Sequence, residues 1–272
     1  MQGHYMRISE LLPAVREYKN ITDSTYECWE KAAKPIGNCL ISEVDPTFVT
    51  LYWRSQLAPV GPCSAATMVR RLTLLSGIWA TALKKQIIDG VNWWHGASGD
   101  LNYVPDDCEE RYEHRPWDFY AKYHKDPIFL GLWYHGMRVG ELCGLLPNEI
   151  VFGASIPYFD IKNNSIRRVK PGSKRQVPIH PDFYHTAQHL EPQYRDNPGK
   201  NWSDVFHRSL HLEKGEAAHS IRHRFHSTLR ALEIPDALLD RLVGHKCKSM
   251  SDKYGIWKME HKLKWIKKID KT

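Results

Sequence analysis

The sequence has no Cys-x-x-Cys motif, and its 6 cysteines are spread along the chain without regular spacing. Closely paired cysteines are typical of zinc ribbons, and densely spaced ones are typical of small domains held by disulfides. The sequence indicates neither class. Reduced thiols, as in a reducing cytosol, are therefore expected at Cys28, Cys39, Cys63, Cys108, Cys143 and Cys247.

Long apolar runs are also missing, since no stretch approaches the roughly 20 residues that cross a bilayer. Residues 1–7 lack the charged and apolar blocks of a signal peptide. A soluble cytoplasmic protein without a membrane partner is expected. The chain also lacks an obvious carboxylate cluster that would hold divalent ions. His185 and His189 have the spacing of helical metal ligands, but no third ligand follows at a suitable distance, so no metal site is predicted.

The basic residues are concentrated in one part of the chain. The net charge is +7 over 272 residues, and residues 162–272 carry 23 Lys and Arg against 12 Asp and Glu. A basic surplus of this kind suits a polyanionic partner. Lysine-rich surfaces are nevertheless often only solvated, so charge alone leaves the nature of the partner open.

The first hundred residues have the pattern of helices. Asp23 or Ser24 is predicted to cap one helix, and Asp45 followed by Pro46 is predicted to start another. A longer helix is predicted over residues 64–89, with Gly90 as its stop. Its apolar positions recur at steps of three and four residues and predict one buried stripe, namely Met68, Leu72, Leu75, Trp79 and Leu83.

The pattern then changes to Gly, Ser, Asn, Pro and acidic residues, which predicts a linker over residues 96–116 between domains at 1–95 and 117–272. The second domain is predicted to be helical over 117–146, 218–232 and 235–243. Between these helices, strands are predicted at 156–161, 165–170 and 174–179, the last two joined across Pro171-Gly172 as a hairpin. The predicted fold class is mainly α (α+β), with a small antiparallel sheet.

Several short motifs bring cations and one phenol together. The run from Gly136 to Leu142 contains Arg138 and Glu141, and Lys170 precedes Val177-Pro178. Further along the chain stand His219-x-x-Arg222, Gly244-His245 and Tyr254. Two arginines, a lysine, two histidines and a tyrosine predict a cationic pocket around one nucleophile, and a phosphodiester suits such a pocket.

In this order and at these spacings, the motifs resemble the catalytic residues of the tyrosine recombinases, the phage-integrase family. The resemblance covers the second domain, and residues 64–89 resemble the helical core-binding domain that precedes it in the family. It implies a site-specific DNA recombinase, found in phages and mobile elements, that breaks and rejoins strands through a 3′-phosphotyrosyl intermediate. Neither metal nor ATP nor any other cofactor is implied. Double-stranded DNA, a homo-tetramer on that DNA and accessory DNA-bending proteins are the implied partners, and nucleoid association is expected in a bacterial or phage setting.

By this resemblance Tyr254 is the nucleophile and Arg138 and Arg222 bind the non-bridging oxygens of the phosphate. Arginine suits this role because its planar fork matches phosphate and keeps its charge. Glu141 has a supporting role, since it is placed to form an (i, i+3) ion pair with Arg138.

The remaining roles concern proton transfer. The resemblance implies Lys170 as the general acid for the leaving 5′ oxygen, with Lys174 as the alternative. His219 is expected to accept the tyrosine proton or to bond a phosphate oxygen, and His245 is expected to bond a non-bridging oxygen. DNA contacts are expected at Arg70, Arg71, Lys84, Lys85, Lys174 and Arg175.

Two other functions fit the same motifs. A type IB topoisomerase-like relaxase uses a similar pocket and tyrosine, although the compact spacing from Arg222 to Tyr254 and the helical first domain favour a recombinase. A DNA-binding protein that keeps the fold without catalysis is the other alternative. Residues 255–272 are predicted to form an amphipathic helix, which packs either on its own domain or on a neighbouring subunit.

Overall fold

In the computed structural model, the described residues are 5–101, 114–191, 197–212, 216–245 and 257–271. The chain divides into two compact units, Met1–Glu109 and Glu110–Thr272. None of the helices in the described ranges is both long enough and apolar enough to cross a membrane.

Four α-helices form the first unit: α1 Ile8–Arg16, α2 Asp23–Ala33, α3 Pro46–Gln56 and α4 Ala65–Lys84. The predicted cap Asp45 is confirmed, since its side chain accepts a hydrogen bond from the backbone N–H of Phe48. The predicted start of α4 near residue 64 is confirmed too, and Ser64 caps that helix by accepting from the backbone N–H of Thr67. For α2 the cap is Thr22, whose hydroxyl accepts from the backbone N–H of Thr25 at 3.3 Å, so the prediction of Asp23 or Ser24 was wrong by one or two residues.

Helix α4 ends at Lys84, five residues before the predicted last residue, Asp89. Gln86 adopts a left-handed conformation with φ 56°, and the backbone N–H of Ile87 donates to the carbonyl of Ala82 at 3.0 Å. This is a Schellman closure, which satisfies the last helical carbonyls and turns the chain. The turn places Ile88 in the core with 2% exposure. Burial of Ile88 therefore decides the end of the helix, and Gly90 does not.

The core of the first unit lies along α4 as predicted. Met68, Leu72, Leu75 and Trp79 are buried, while Leu83 is only partly buried. Trp94 joins the same core, with its ring 5.7 Å from that of Trp79. Ala97 is also buried there, so the first unit continues into the predicted linker. Residues 102–113 of that predicted linker lie outside the described residues.

The second unit contains seven α-helices in its described ranges and a three-stranded antiparallel sheet. The helices are α5 Pro127–His135, α6 Val139–Cys143, α7 Tyr184–Gln188, α8 Pro198–Leu210, α9 Ala218–Ala231, α10 Asp236–Val243 and α11 Met259–Ile266. The strands are β1 Ile150–Val151, β2 Tyr158–Ile161 and β3 Arg175–Pro178, in the order β1-β2-β3. The mainly α fold class with a small antiparallel sheet is confirmed.

The helix predicted over residues 117–146 is broken into three pieces. Residues Trp117–Tyr123 form a 3₁₀-helix, and α5 and α6 follow. Gly136 separates α5 from α6 with φ 56°, and a Cβ at this position would overlap the ring of Phe225. Only glycine fits this backbone and this close approach. The predicted core residues of the segment are all buried: Ile128, Phe129, Leu132, Trp133 and Leu142.

The predicted hairpin between residues 165–170 and 174–179 was wrong. Strand β3 pairs with β2, with Phe159 opposite Val177, and residues 165–170 are not a strand. The side-chain oxygen of Asn164 accepts hydrogen bonds from the backbone N–H groups of Ile166 and Arg167. These N–H groups are then not available for pairing with a neighbouring strand. The predicted turn at Pro171-Gly172 does exist, because Ser173 N–H donates to the carbonyl of Lys170 at 2.9 Å.

Helix α11 and the chain after it pack on their own unit. Ile266 and Ile269 are buried in its core. The indole N–H of Trp133 donates to the carbonyl of Asp270 at 2.8 Å, and the ammonium of Lys262 donates to the carbonyl of Gln176 at 3.0 Å. Of the two arrangements expected for residues 255–272, the described part adopts the intramolecular one.

Candidate active site

Arg138 stands at the N-cap of α6, two residues after the left-handed Gly136. Its backbone N–H donates to one carboxylate oxygen of Glu141 at 3.0 Å, and its guanidinium donates to the other at 2.7 Å. The side chain keeps 22% exposure. The predicted (i, i+3) ion pair with Glu141 is therefore present, and it fixes the direction of a guanidinium that still reaches solvent.

Arg175 holds the same carboxylate from the other side. Its guanidinium donates to both oxygens of Glu141, at 2.8 and 3.2 Å, and to the carbonyl of Leu242 at 2.7 Å. Only 4% of the Arg175 side chain is exposed. Its assignment as a DNA contact was therefore wrong, because β3 turns it inward to link Glu141 with the end of α10.

Glu141 is ionised throughout the ordinary pH range. Burial opposes its charge, but the hydrogen bonds and charges of Arg175 and Arg138 outweigh burial and lower the pKa of Glu141 to about 2. A buried carboxylate between two guanidinium groups leaves one net positive charge. Among Arg138, Glu141 and Arg175, Arg138 is the residue that reaches solvent, so the surplus positive charge is accessible there.

Arg222 lies one helical turn after His219 on α9 and is 4% exposed. It donates to the carbonyl of Gly136 at 2.6 Å and to the carbonyl of Val243 at 2.5 Å. These bonds use two of its five N–H donors. Burial and the charge of nearby Arg138 lower the pKa of Arg222 to about 9. Because Arg138 and Arg222 repel each other, an anion bound beside both guanidinium groups would be stabilised.

Both arginines donate hydrogen bonds to backbone carbonyls directly before His245, and one of these carbonyls belongs to Gly244. Gly244 follows α10 with φ 73°, and its carbonyl accepts from Arg138 at 3.2 Å and from the buried Ser173 hydroxyl at 2.8 Å. The preceding carbonyl, of Val243, is the one that Arg222 holds. The motifs predicted from distant parts of the sequence thus meet at two consecutive carbonyls.

Sequence reasoning missed the contributions of Ser173 and Gly244's backbone. Residue 244 also has no room for a side chain, since a Cβ there would lie 2.5 Å from Nη1 of Arg175. A glycine directly before His245 was a visible signal. No comparable signal in the sequence indicated Ser173, because a serine in a turn is usually solvated.

The two predicted histidines both lie near these arginines. The His245 ring lies 3.3 Å from a carboxylate oxygen of Asp240, measured from Nδ1, and its side chain is 45% exposed. Partial desolvation lowers the pKa of His219 to about 4, assisted by the positive charges of His223, Arg222, Arg138 and Lys170. His219 is therefore neutral at pH 7 and able to accept a hydrogen bond or a proton.

An open cleft of about 640 Å³ lies beside these residues. Of the predicted residues, Arg138, Glu141, Lys170 and His219 line it. Arg168 and Lys200 also line it and were not predicted individually. Their cations extend the positive surface that the charge surplus of residues 162–272 indicated.

Comparison with known proteins points to one fold. No protein-family model matches the chain, and neither does any curated protein sequence. Solved structures do match. A variant of the Tn1549 transposon integrase, in complex with transposon right end DNA, superposes with a TM-score of 0.68 at 18% identity, over 94% of this chain and 97% of that one. A lambda integrase dimer bound to a COC′ core site superposes with a TM-score of 0.58 at 18% identity, over 92% and 95%.

The chain has the tyrosine recombinase fold. A lambda integrase tetramer bound to a Holliday junction also matches, with a TM-score of 0.59 at 16% identity, over 91% of this chain and 80% of that one. The matches span both compact units, so the first unit belongs to the shared fold as well as the second. At such identities the likeness concerns the fold alone.

Within the tyrosine recombinase fold, the two candidate lysines differ in position. Lys170 lines the cleft and lies on the loop that leads into the Pro171-Gly172 turn. The prediction that it lies on a strand was wrong. Lys174 is exposed and does not line the cleft. Lys170 therefore shares the cleft with Arg138 and His219, and Lys174 does not.

The other predicted site residues are the nucleophile and the cations of the first unit. Tyr254 lies outside the described residues. In the first unit, Arg70, Lys84 and Lys85 are exposed, and Arg71 is half-buried with its guanidinium 3.4 Å from the amide oxygen of Gln56. Their DNA contacts remain predictions.

Proposed function

We propose that the chain is a site-specific DNA recombinase of the integrase type that cleaves and rejoins DNA strands with Tyr254 as nucleophile. One observation carries the proposal: Arg138 and Arg222, 84 residues apart in sequence, donate to the consecutive carbonyls of Gly244 and Val243. Two fixed guanidinium groups at one place are the donors that a phosphodiester in reaction requires.

Cleavage would begin with attack of the Tyr254 oxygen on the phosphorus. A phenol ionises near pH 10, so its deprotonation at pH 7 costs about 4 kcal/mol. The positive charges of Arg138 and Arg222 lower this cost. His219 is neutral and accepts the phenolic proton as the new oxygen–phosphorus bond forms.

Negative charge then grows on the two non-bridging oxygens, and the arginines are assigned to them, with His245 as a further donor. A preorganised donor of this kind contributes about 3–4 kcal/mol to the stability of a transition state. The bond from phosphorus to the 5′ oxygen breaks, and Lys170 gives that oxygen a proton. The product is a 3′-phosphotyrosyl link and a free 5′ hydroxyl. These residues supply the charge and the protons, and no metal or ATP takes part in the steps.

Because the covalent link preserves the phosphodiester bond energy, a 5′ hydroxyl of another strand can reseal the break. The proposed partner is therefore double-stranded DNA bearing recombination sites, with a homo-tetramer as the active assembly. Solved structures of the same fold contain DNA, and one of them is a tetramer on a Holliday junction. The basic surplus of residues 162–272 supports the same partner.

A nicked suicide substrate tests the proposal. The purified chain is incubated with nicked duplexes made from the DNA that flanks its gene, and covalent adducts are resolved on a denaturing gel. Wild-type protein should give an adduct, and Tyr254→Phe should give none while still binding the duplex.

Two outcomes would contradict recombination. Binding without any wild-type adduct would indicate a DNA-binding protein that keeps the fold without catalysis. An adduct together with relaxation of supercoiled plasmid, but without exchange between paired sites, would indicate a type IB relaxase instead.

A further inference from the structure

Three potential metal ligands meet next to the arginine pair, on the side of α9 that faces α10. They are His226 of α9, Asp240 of α10 and His245, the residue after the left-handed Gly244. One ligand atom from each lies within 4.8 Å of the other two. Among the described residues, this group is the one where three such ligands converge.

The distances suit a small tetrahedral ion. Nδ1 of His245 and the nearer carboxylate oxygen of Asp240 are 3.3 Å apart. Two ligands at about 2.0–2.1 Å from a tetrahedral ion are about 3.3 Å apart, so this pair already has the required separation. The rings of His226 and His245 have centroids 5.9 Å apart. A modest rotation of the partly exposed His245 ring would bring all three atoms to one ion.

The ligand types define the class of ion. Two imidazoles and one carboxylate suit Zn²⁺ and neighbouring transition metals, whereas Ca²⁺ and Mg²⁺ prefer oxygen ligands. Three protein ligands leave a fourth position for water or another donor, as in open zinc sites. Asp240 contacts the His245 ring at 3.3 Å and can orient it for the proposed reaction, whereas no step of that reaction uses His226.

The charges around the group set its strength. The Asp240 carboxylate favours a cation, while Arg222 and Arg230 near His226 and Arg138 near His245 oppose one. Arg230 is partly offset by Asp236 at 3.5 Å, and Arg222 by the carbonyls it holds. Reversible binding of moderate strength is the expected result.

We propose that His226, Asp240 and His245 form a reversible Zn²⁺-class site, and that the bound ion withdraws His245 from the scissile phosphate. The first part stands on the geometry of the three ligands alone. The second part rests on the proposed function, because it requires His245 to act on a phosphate. Zinc would then be an inhibitor of the recombinase, and the reaction itself would need no metal.

Direct metal binding tests the first part without any DNA. Co²⁺ is titrated into the full chain while the visible d–d absorption of tetrahedral cobalt is followed, and Zn²⁺ is then added to displace it. The wild-type protein should show one site. His226→Gln and Asp240→Asn should each weaken binding by about tenfold or more. His189→Gln is the matched control, since His185 and His189 form a two-histidine pair outside the group, and it should bind as the wild type does.

The site is overturned if the wild type shows no tetrahedral cobalt spectrum, or if His226→Gln and Asp240→Asn bind as well as the wild type. A thiolate charge-transfer band that persists in both variants would place the ion on cysteine and would overturn the site as well.

Adduct formation with and without Zn²⁺ tests the second part. Zinc should slow the wild type and the His189→Gln control, and His226→Gln should resist zinc while keeping its rate in the absence of metal. Equal inhibition of His226→Gln and wild type would refute the withdrawal of His245. If no adduct forms under any condition, the proposed function fails, and the cobalt titration still decides the site.

Discussion

Two ion-paired arginines, one from each unit, have opposite surroundings. In the first unit, Arg16 forms an ion pair with Asp23 in which the side chains are 39% and 89% exposed. In the second unit, Arg175 and Glu141 are each 4% exposed and Arg222 is buried. Exposed pairs are screened by water and salt, whereas buried ones are held in one geometry by hydrogen bonds. The same residue types therefore give an exposed ion pair in the first unit and a cation held in one position in the second, because the two pairs are packed differently.

This difference suits the second unit to the proposed chemistry. Arg138 is fixed by Glu141, Glu141 is fixed by Arg175, and Arg175 is fixed by the carbonyl of Leu242. Each member of this chain restricts the next, so the guanidinium that reaches the cleft has little freedom left to lose when a substrate binds. The cations of the first unit have no comparable support among the described contacts, and they suit contacts that tolerate motion.

The largest expected effect comes from breaking the buried pair. Glu141→Gln leaves Arg175 buried without a counter-charge and should lower the free energy of unfolding of the second unit by about 3–5 kcal/mol. Asp23→Asn, its counterpart in the first unit, should cost at most about 1 kcal/mol. Hydrogen exchange of peptides from α2, α9 and α10 measures the two units separately. Equal protection losses in the two variants would contradict the comparison.

The same carboxylate makes the second unit sensitive to acid. The pKa of Glu141 is lowered from 4.5 to about 2 in the folded state. A lowered carboxyl pKa stabilises the fold above the unfolded pKa, and this contribution of about 3 kcal/mol is lost as the pH falls from about 4.5 toward 2. Urea unfolding of the second unit at several acidic pH values should show this loss. In Glu141→Gln the curve should be flatter, and an unchanged slope would count against the lowered pKa.

The next effect concerns the reaction and not the fold. Arg222→Lys keeps a positive charge but loses the planar fork, and it should slow adduct formation by about 10²–10³-fold. Arg208→Lys, at an exposed arginine of α8, should leave the rate unchanged. The rates come from single-turnover reactions on the suicide substrate, with duplex binding measured in parallel. A normal rate of adduct formation in Arg222→Lys would contradict the proposal that Arg138 and Arg222 together bind the reacting phosphate.

Glycine replacement gives a smaller contrast between the units. Gly244→Ala forces a side chain into a left-handed conformation 2.5 Å from Arg175, and it should destabilise the second unit by about 1–2 kcal/mol. Gly77→Ala lies within α4, where a Cβ would meet nothing within 4 Å, and it should stabilise the first unit by up to about 1 kcal/mol. Opposite shifts of the two unfolding transitions would confirm the contrast, and shifts of the same sign would refute it.

The smallest expected effect lies on the surface of the first unit. Lys84→Gln should change stability by less than about 0.5 kcal/mol. If Lys84 contacts a phosphate, the slope of log binding constant against log salt should fall by about 0.9. Lys31→Gln, another exposed lysine of the unit, is the control. An unchanged slope in Lys84→Gln would mean that this lysine is only solvated.

Much of the architecture could be predicted because its causes are local. The cap at Asp45, the start of α4 near Ser64 and its apolar stripe depend on residues three or four positions apart, and these predictions were confirmed. The Pro171-Gly172 turn and helix α9 were predicted for the same reason. Errors arose where packing decided between local alternatives: Ile88 is buried beyond the closure at Gln86, and β3 pairs with β2 instead of residues 165–170.

The candidate site divides along the same line. By itself, the sequence determined which chemical groups are available, because the motif residues and their order are written in it. Tertiary structure alone decided that Arg175 is a buried partner of Glu141, although the two lie 34 residues apart. It also decided that Arg138 and Arg222 meet at neighbouring carbonyls, over separations of 106 and 21 residues. Spacing along a chain sets contacts within one helix or turn, whereas contacts across such distances depend on how whole elements pack.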